Sequence, residues 1–196
     1  ADSKRLHGIT GIGHSPVMTD LDLELPTEGD VVELILADHR RFEELLRDLR
    51  DSSTDRDAVR KTFATLHVAH AEAEEHEVYP TLRKERAITE HEKDHGKEEH
   101  AEGNEALLDV LEAEDTGSED FEDLVEELAT RVNHHLTEEE LTILNPARDE
   151  VPDEERARLG AAFATARNKL IEDDCGAVDN VRAIVAEARD KGLLDD

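Results

Sequence analysis

His70-Ala71-Glu72-Ala73-Glu74 and His135-Leu136-Thr137-Glu138-Glu139 are two copies of one pattern, a histidine followed four residues later by a glutamate. Each copy interrupts an apolar stripe at helical spacing. The first stripe reads Val59, Phe63, Leu66, His70, Ala73 or Glu74, and Val78. The second reads Phe121, Leu124, Leu128, Val132, His135, Glu139 and Ile143. A spacing of four puts both polar side chains of a copy on one helix face, about 40° apart. A lone histidine precedes each copy on the helix before it, His39 and His100. A buried ionised carboxylate without a partner is costly, and two facing each other also repel. A pair of divalent or trivalent cations removes both problems. Imidazole and carboxylate without thiolate suit iron, with manganese or zinc as alternatives.

Working outward from these motifs, periodicity and caps predict six helices. The first spans about residues 30–51, capped by Thr27 or Asp30, with Ile35, His39, Phe42, Leu46 and Leu49 on one face. The second spans 56–79 and ends at Pro80, because proline lacks the N–H that a helix interior needs. The third spans 88–114, with His100, Asn104, Leu107 and Leu111 in phase. The fourth spans 119–144 and ends before Pro146. Beyond Pro152, Asp153 is expected to cap a fifth helix to residue 172, and a sixth spans 178–189. Neither carries a histidine. The domain reading is an irregular N-terminal arm (1–29, with His7 and His14 at its surface), a helical bundle (30–148) and a C-terminal helical extension (149–196).

Residues 30–80 and 88–146 also read as a repeat. Each half is a helical hairpin with one histidine on its first helix and the histidine–glutamate motif on its second. Two such hairpins make an all-α, antiparallel up-down four-helix bundle with a pseudo-twofold centre. Heights agree with this. At about 1.5 Å per residue, His39 lies about 13 Å along the first helix, and counting back from the proline-marked ends puts His70 and His135 at about 15 Å and the two glutamates at about 9 Å. His39, His70, Glu74, His100, His135 and Glu139 therefore form one layer, and each glutamate is expected to bridge two metal ions.

The chain has 196 residues, a formal charge of −29 and 38% charged residues. Such a surface repels nucleic acid and anionic lipid, so neither is an expected partner. The single cysteine, Cys175, forbids an intrachain disulfide and fits a reducing cytoplasm. No apolar run is long enough for a membrane span, and none at the start reads as a signal peptide.

At four segments the sequence resembles the hemerythrin-like, His-His-Glu cation-binding family. They are Leu36-Ala37-Asp38-His39, His70 to Glu75 running on to Tyr79-Pro80, Glu98-Glu99-His100-Ala101-Glu102, and His135 to Glu139. The likeness covers about residues 30–146. It implies a four-helix bundle around a non-haem centre of two iron ions, carboxylate-bridged with an oxo or hydroxo bridge, held by the same six residues. It also implies a small diatomic or peroxide ligand. One departure matters. Oxygen-carrying hemerythrins place two histidines four apart on the third helix, whereas here Gly96 stands four residues before His100. A less crowded iron favours reaction over reversible carriage.

Of the remaining histidines, His67 shares the face of His70 and is a candidate substitute or supporting group. His134 is about 100° out of phase with His135. His91 and His95 mimic the oxygen-carrier spacing but lie about 180° and 140° from His100. His76 is expected to be exposed. Tyr79, the only tyrosine, reads as packing at the edge of the layer.

The function expected is a hemerythrin-like di-iron protein that binds or reacts with dioxygen, nitric oxide or hydrogen peroxide in stress protection. An iron- or oxygen-sensing module without turnover is the alternative. A ferritin-like oxidase fits less well, since that class favours Glu-x-x-His. A metal-free acidic bundle for protein contacts is the remaining class.

Overall fold

The computed structural model describes residue 23 and residues 25–194, and among them every regular element is helical. His7, His14 and most of the expected N-terminal arm lie outside the described residues. The elements are α1 (Val31–Arg50), α2 (Arg56–Ala73), a π-helical turn (Glu74–Val78), α3 (Tyr79–Lys84), α4 (Glu90–Glu112) and α5 (Glu119–Glu139). A second π-helical turn (Glu140–Leu144), α6 (Asn145–Glu150), α7 (Asp153–Glu172) and α8 (Val178–Asp190) follow.

Polar side chains start the long helices. Asp30 accepts from Val32 N at 2.9 Å, and Asp55 accepts from Ala58 N at 3.1 Å. Thr89 and Glu92 form a reciprocal capping box, and Ser118 accepts from Phe121 N. Each cap satisfies an N–H that has no partner within its own helix. At α7 the expectation fails: Asp153 is the first helical residue, Pro152 holds the cap position, and no side chain caps it.

Pro80 and Pro146 correct the expected helix ends. Both rods continue past their proline, into α3 and α6, because a π turn precedes each one. Tyr79 N donates to Glu74 O and Asn145 N to Glu140 O, five residues back. The wider turn changes the register of the backbone bonds, so the proline ring enters at the start of the next segment, where a missing N–H costs little. The two π turns lie close to corresponding places in the two hairpins: the first begins at the motif glutamate, Glu74, and the second one residue after Glu139.

α1 packs on α2, α2 on α4, α4 on α5, and α5 on α1. Two apolar clusters fill the space between these rods. One contains Phe42, Leu46, Phe63, Leu66, Leu107, Phe121, Leu128 and Val132. The other contains Val31, Ile35, Val78, Tyr79, Ile88, Ile143, Leu159 and Phe163. The motif residues lie between the two clusters along each rod. Side chains of this size stabilise by about 1.5–3 kcal/mol each when fully buried, which is what can hold a polar layer in place between them. α7 lies against α1 and α2, and α8 against α4. No described helix is long and apolar enough to cross a membrane.

Candidate metal centre

All six sequence-nominated groups are brought together and buried: His39, His70 and His100 at 2% exposure, His135 at 4%, Glu139 at 1% and Glu74 at 0%. They form two groups. His39, His70, Glu74 and Glu139 offer ligand atoms within 4.8 Å of one another, and so do Glu74, His100 and His135. Glu74 belongs to both.

The orientation of the rings comes from four further carboxylates. His39 Nδ1 faces Glu140 Oε1 at 2.9 Å, His70 Nδ1 faces Asp38 Oδ2 at 3.1 Å, His100 Nδ1 faces Glu75 Oε1 at 2.9 Å, and His135 Nδ1 faces Glu99 Oε2 at 3.0 Å. A carboxylate only accepts, so each Nδ1 carries the proton and donates. In the neutral ring every Nε2 is then a lone pair, and all four Nε2 atoms turn to the centre. This is how proteins hold histidine for a metal. The wiring is crosswise: the acid before each lone histidine holds the motif histidine of its own hairpin, and the acid after each motif glutamate holds the lone histidine of the other hairpin.

Several inward atoms lack a satisfactory protein partner, and a cation would supply one. His70 Nε2 and Glu74 Oε1 are 3.1 Å apart and buried, and neither makes a hydrogen bond among the described residues. His100 Nε2 and His135 Nε2 face each other at 3.1 Å, an opposition of lone pairs unless a proton or a cation lies between them. Glu74, Glu139 and the four orienting acids, set against the one buried guanidinium beside them (Arg167), leave a formal charge of −5. Two cations of charge two or three offset it. The residues present fit a two-metal centre.

Without metal, protons take that place. Burial pulls His70 down, but the Glu74 and Asp38 carboxylates overcome it and raise it to about 10. Burial acts likewise on His100, and Glu74 and Glu75 bring it to about 10. Burial and the charged His100 lower His135, while burial with His100 and His70 nearby takes His67 to about 3. Glu74, despite burial, is held well below its usual range by His70 and His100. Through linkage, the raised pair contributes stability that is complete below pH 6.5 and is lost as pH rises through about 10. The lowered histidines contribute stability present above 6.5 and lost on acidification, and Glu74 adds a further loss below 4.5. The metal-free protein should therefore show its highest thermal midpoint near pH 6.5 in a denaturation series. A midpoint still climbing between pH 7 and 10 contradicts this proton arrangement. Metal binding must displace these protons, so affinity should rise with pH over the same interval.

Tyr79 does more than pack. Its hydroxyl donates to Glu139 Oε1 at 2.8 Å and lies 3.5 Å from Glu74 Oε2, while its ring stacks on His100 at 5.8 Å. Burial, then the Glu139 and Glu74 carboxylates, push the phenol well above its usual value, so it stays protonated and donates. A Cβ built on Gly96 would lie 3.1 Å from the Tyr79 hydroxyl. Tyr79 thus fills the space beside the position where a second histidine of the third helix would begin. Tyr79→Phe leaves Glu139 with one donor fewer in a dry site. It is expected to destabilise the metal-free protein by about 2 kcal/mol, read from denaturant midpoints.

The other described histidines fall outside both groups. His67 is buried, stacks on Phe63 at 5.5 Å and leaves its Nδ1 without a hydrogen bond. His91 and His95 stack on each other at the surface, and His76 and His134 are exposed. The four orienting carboxylates were not read from the sequence. Their signal was an acid adjoining each ligand: Asp38-His39, Glu74-Glu75, Glu99-His100 and Glu139-Glu140.

Comparison with known proteins agrees with this geometry. Residues 30–147 match the family model for the Hemerythrin HHE cation binding domain. A curated protein named DNA nickase, from Nostoc sp. (strain PCC 7120 / SAG 25.82 / UTEX 2576), is 27% identical over 144 residues. Those residues are 72% of this chain but 40% of the relative, so the chain spans about two fifths of that protein. No solved structure matches.

Proposed function

The chain belongs to the hemerythrin HHE cation-binding family, and on that premise we propose that it holds two iron ions and binds or reacts with a small oxidant: dioxygen, nitric oxide or hydrogen peroxide. The observation that carries this is the convergence of four lone-pair-bearing Nε2 atoms and two carboxylates in a sealed layer. His39, His70, His100 and His135 would supply terminal ligands, and Glu74 and Glu139 would bridge. The iron pair, when bound, supplies the redox chemistry. The four outer carboxylates fix the rings, the two apolar clusters keep water out, and the Tyr79 hydroxyl, whose oxygen is 2.8 Å from Glu139 Oε1, donates its proton there. Residues 30–148 are proposed as the hemerythrin-like unit, packed as an up-down four-helix bundle, with 149–196 as its helical extension. The order of the apolar clusters supports this arrangement. α1 and α4 lead from the cluster of Val31 and Ile88 toward that of Leu46 and Leu107, and α2 and α5 lead back.

Protein expressed with iron should contain two irons per chain by elemental analysis, with an absorption spectrum that changes on exposure to oxygen. Repeated loss of added peroxide or nitric oxide supports an oxidoreductase in stress protection. A stable oxygen-linked spectrum without turnover supports the sensing alternative. Colourless, metal-free protein overturns both.

The relative's name raises nucleic acid as a second reading. A phosphodiester has to reach the cations to be cut, yet the six groups are at most 4% exposed and the chain carries −29. Supercoiled plasmid incubated with the iron- or manganese-loaded protein is therefore expected to stay supercoiled.

A further inference from the structure

α7 lies outside the two hairpins, yet its Arg167 is among the largest fully buried side chains, at 1% exposure. Its Nη1 donates to both oxygens of Asp38, at 2.7 and 2.9 Å, and its Nη2 donates to Pro26 O at 3.3 Å. The guanidinium also lies 5.3 Å from the centre of the Phe163 ring. That ring meets the His70 imidazole edge-on at 5.8 Å. α7 therefore reaches His70 by two routes, through the Asp38 carboxylate that accepts from Nδ1 and through Phe163.

Among the described residues the other hairpin has no counterpart. Glu99 does for His135 what Asp38 does for His70, but Glu99 Oε1 makes no hydrogen bond. The groups facing it are His134 at 3.3 Å and His95 at 3.6 Å, both at the surface. The two halves of the repeat, alike in their inward residues, differ by one buried permanent charge.

Resting on the two-iron reading above, we propose that Arg167 is a positioning residue that clamps Asp38, fixes the His70 imidazole and makes the two metal positions unequal. The clamp acts through geometry and charge. A guanidinium holds a carboxylate in a fixed orientation by charge-assisted bonds. A carboxylate so occupied divides its lone pairs between the guanidinium and the ring it orients. His70 thus meets its metal as a fixed, neutral imidazole. His135, oriented by an unclamped acid, has more freedom and more electron density at its Nε2.

The test uses the full chain, stripped of metal and titrated anaerobically with ferrous iron against a competing chelator, with folding followed by circular dichroism. The wild type is expected to show two binding steps. Arg167→Met keeps the length and removes the fork; one step should weaken about tenfold, in line with the loss of an outer partner to a ligating histidine, and the other should change by less than about twofold. Arg167→Lys, which keeps the charge and a donor, should recover part of that loss. Glu99→Ala should weaken the other step. The proposal is overturned if folded Arg167→Met leaves both steps unchanged or weakens them equally. It is also overturned if lysine is no better than methionine, or if Glu99→Ala and Arg167→Met weaken the same step. Should Arg167→Met fail to fold, Arg167→Gln keeps an N–H donor without the charge, leaves Asp38 in place and carries the same readout: one weakened step supports the clamp, and two unchanged steps refute it. A wild type that binds no pair of irons refutes the two-iron reading instead, and is seen before any variant is compared.

Discussion

Glu74→Ala is expected to reduce bound iron from two per chain to nearly none. Glu74 is the one side chain common to both inward groups. Its Oε1 lies 3.1 Å from His70 Nε2 and its Oε2 lies 3.2 Å from His100 Nε2, with no exposure to solvent. Deleting it removes a negative charge from each metal position at once. The loss should exceed the roughly 10–100-fold that follows from removing an outer partner of a ligating histidine. The fold should survive, because His70 keeps its bond to Asp38 and His100 its bond to Glu75, so neither ring is left without an acid partner. His135→Ala and Glu139→Ala should each fall well below two irons, and His14→Ala should load normally. Elemental analysis of iron-replete preparations decides it; full loading of Glu74→Ala would falsify the proposed centre.

Gly176→Ala is expected to be a strongly disruptive small change outside the metal layer. Gly176 lies in the turn between α7 and α8, where an added Cβ would come within 2.3 Å of Thr65 N and 2.5 Å of Thr65 Cα. Those atoms belong to the middle of α2, so no flexible side chain can move aside. The turn must lift from α2 or α2 must bend. Overpacking a tight contact costs about 1–3 kcal/mol, and a backbone-on-backbone clash belongs at the upper end. About 3 kcal/mol corresponds to a fall of about 6–12 °C in thermal midpoint for a chain of this size. A midpoint within 2 °C of wild type would mean that the turn is not seated as described. Ala64 lies on the same helix but is already part of the apolar cluster, so Ala64→Gly serves as a helix-propensity control, with an expected cost of about 1 kcal/mol.

The six inward groups were legible in the sequence because helical phase and helix ends place them without knowledge of tertiary structure. The prolines misled in one respect. A rule written for α-helices stops a rod at Pro80 and Pro146, whereas a wider turn just before each lets the rod continue. That turn leaves few marks in composition, since Glu74–Val78 and Glu140–Leu144 look like ordinary helix. The orienting acids were hidden for a related reason. Asp38 and Glu99 are about 100° from the histidines they adjoin, and in a chain with 52 acidic residues they resemble solvated surface. Their role depends on the neighbouring helix, which no single-helix pattern reports. Arg167 was invisible for the same reason: its partner, Asp38, lies 129 residues earlier in the chain.

The crosswise wiring ties each rod to the next around a closed circuit: Asp38 to His70, Glu75 to His100, Glu99 to His135, and Glu140 back to His39. Neither hairpin can complete its own set of oriented imidazoles. During synthesis the first hairpin emerges carrying a histidine whose orienting acid, Glu140, has not yet been made. With the proposed iron pair, capture would wait until the second hairpin has docked, and metallation would be a checkpoint on tertiary assembly. A nascent or truncated chain would then be spared from trapping a loosely held, reactive ion.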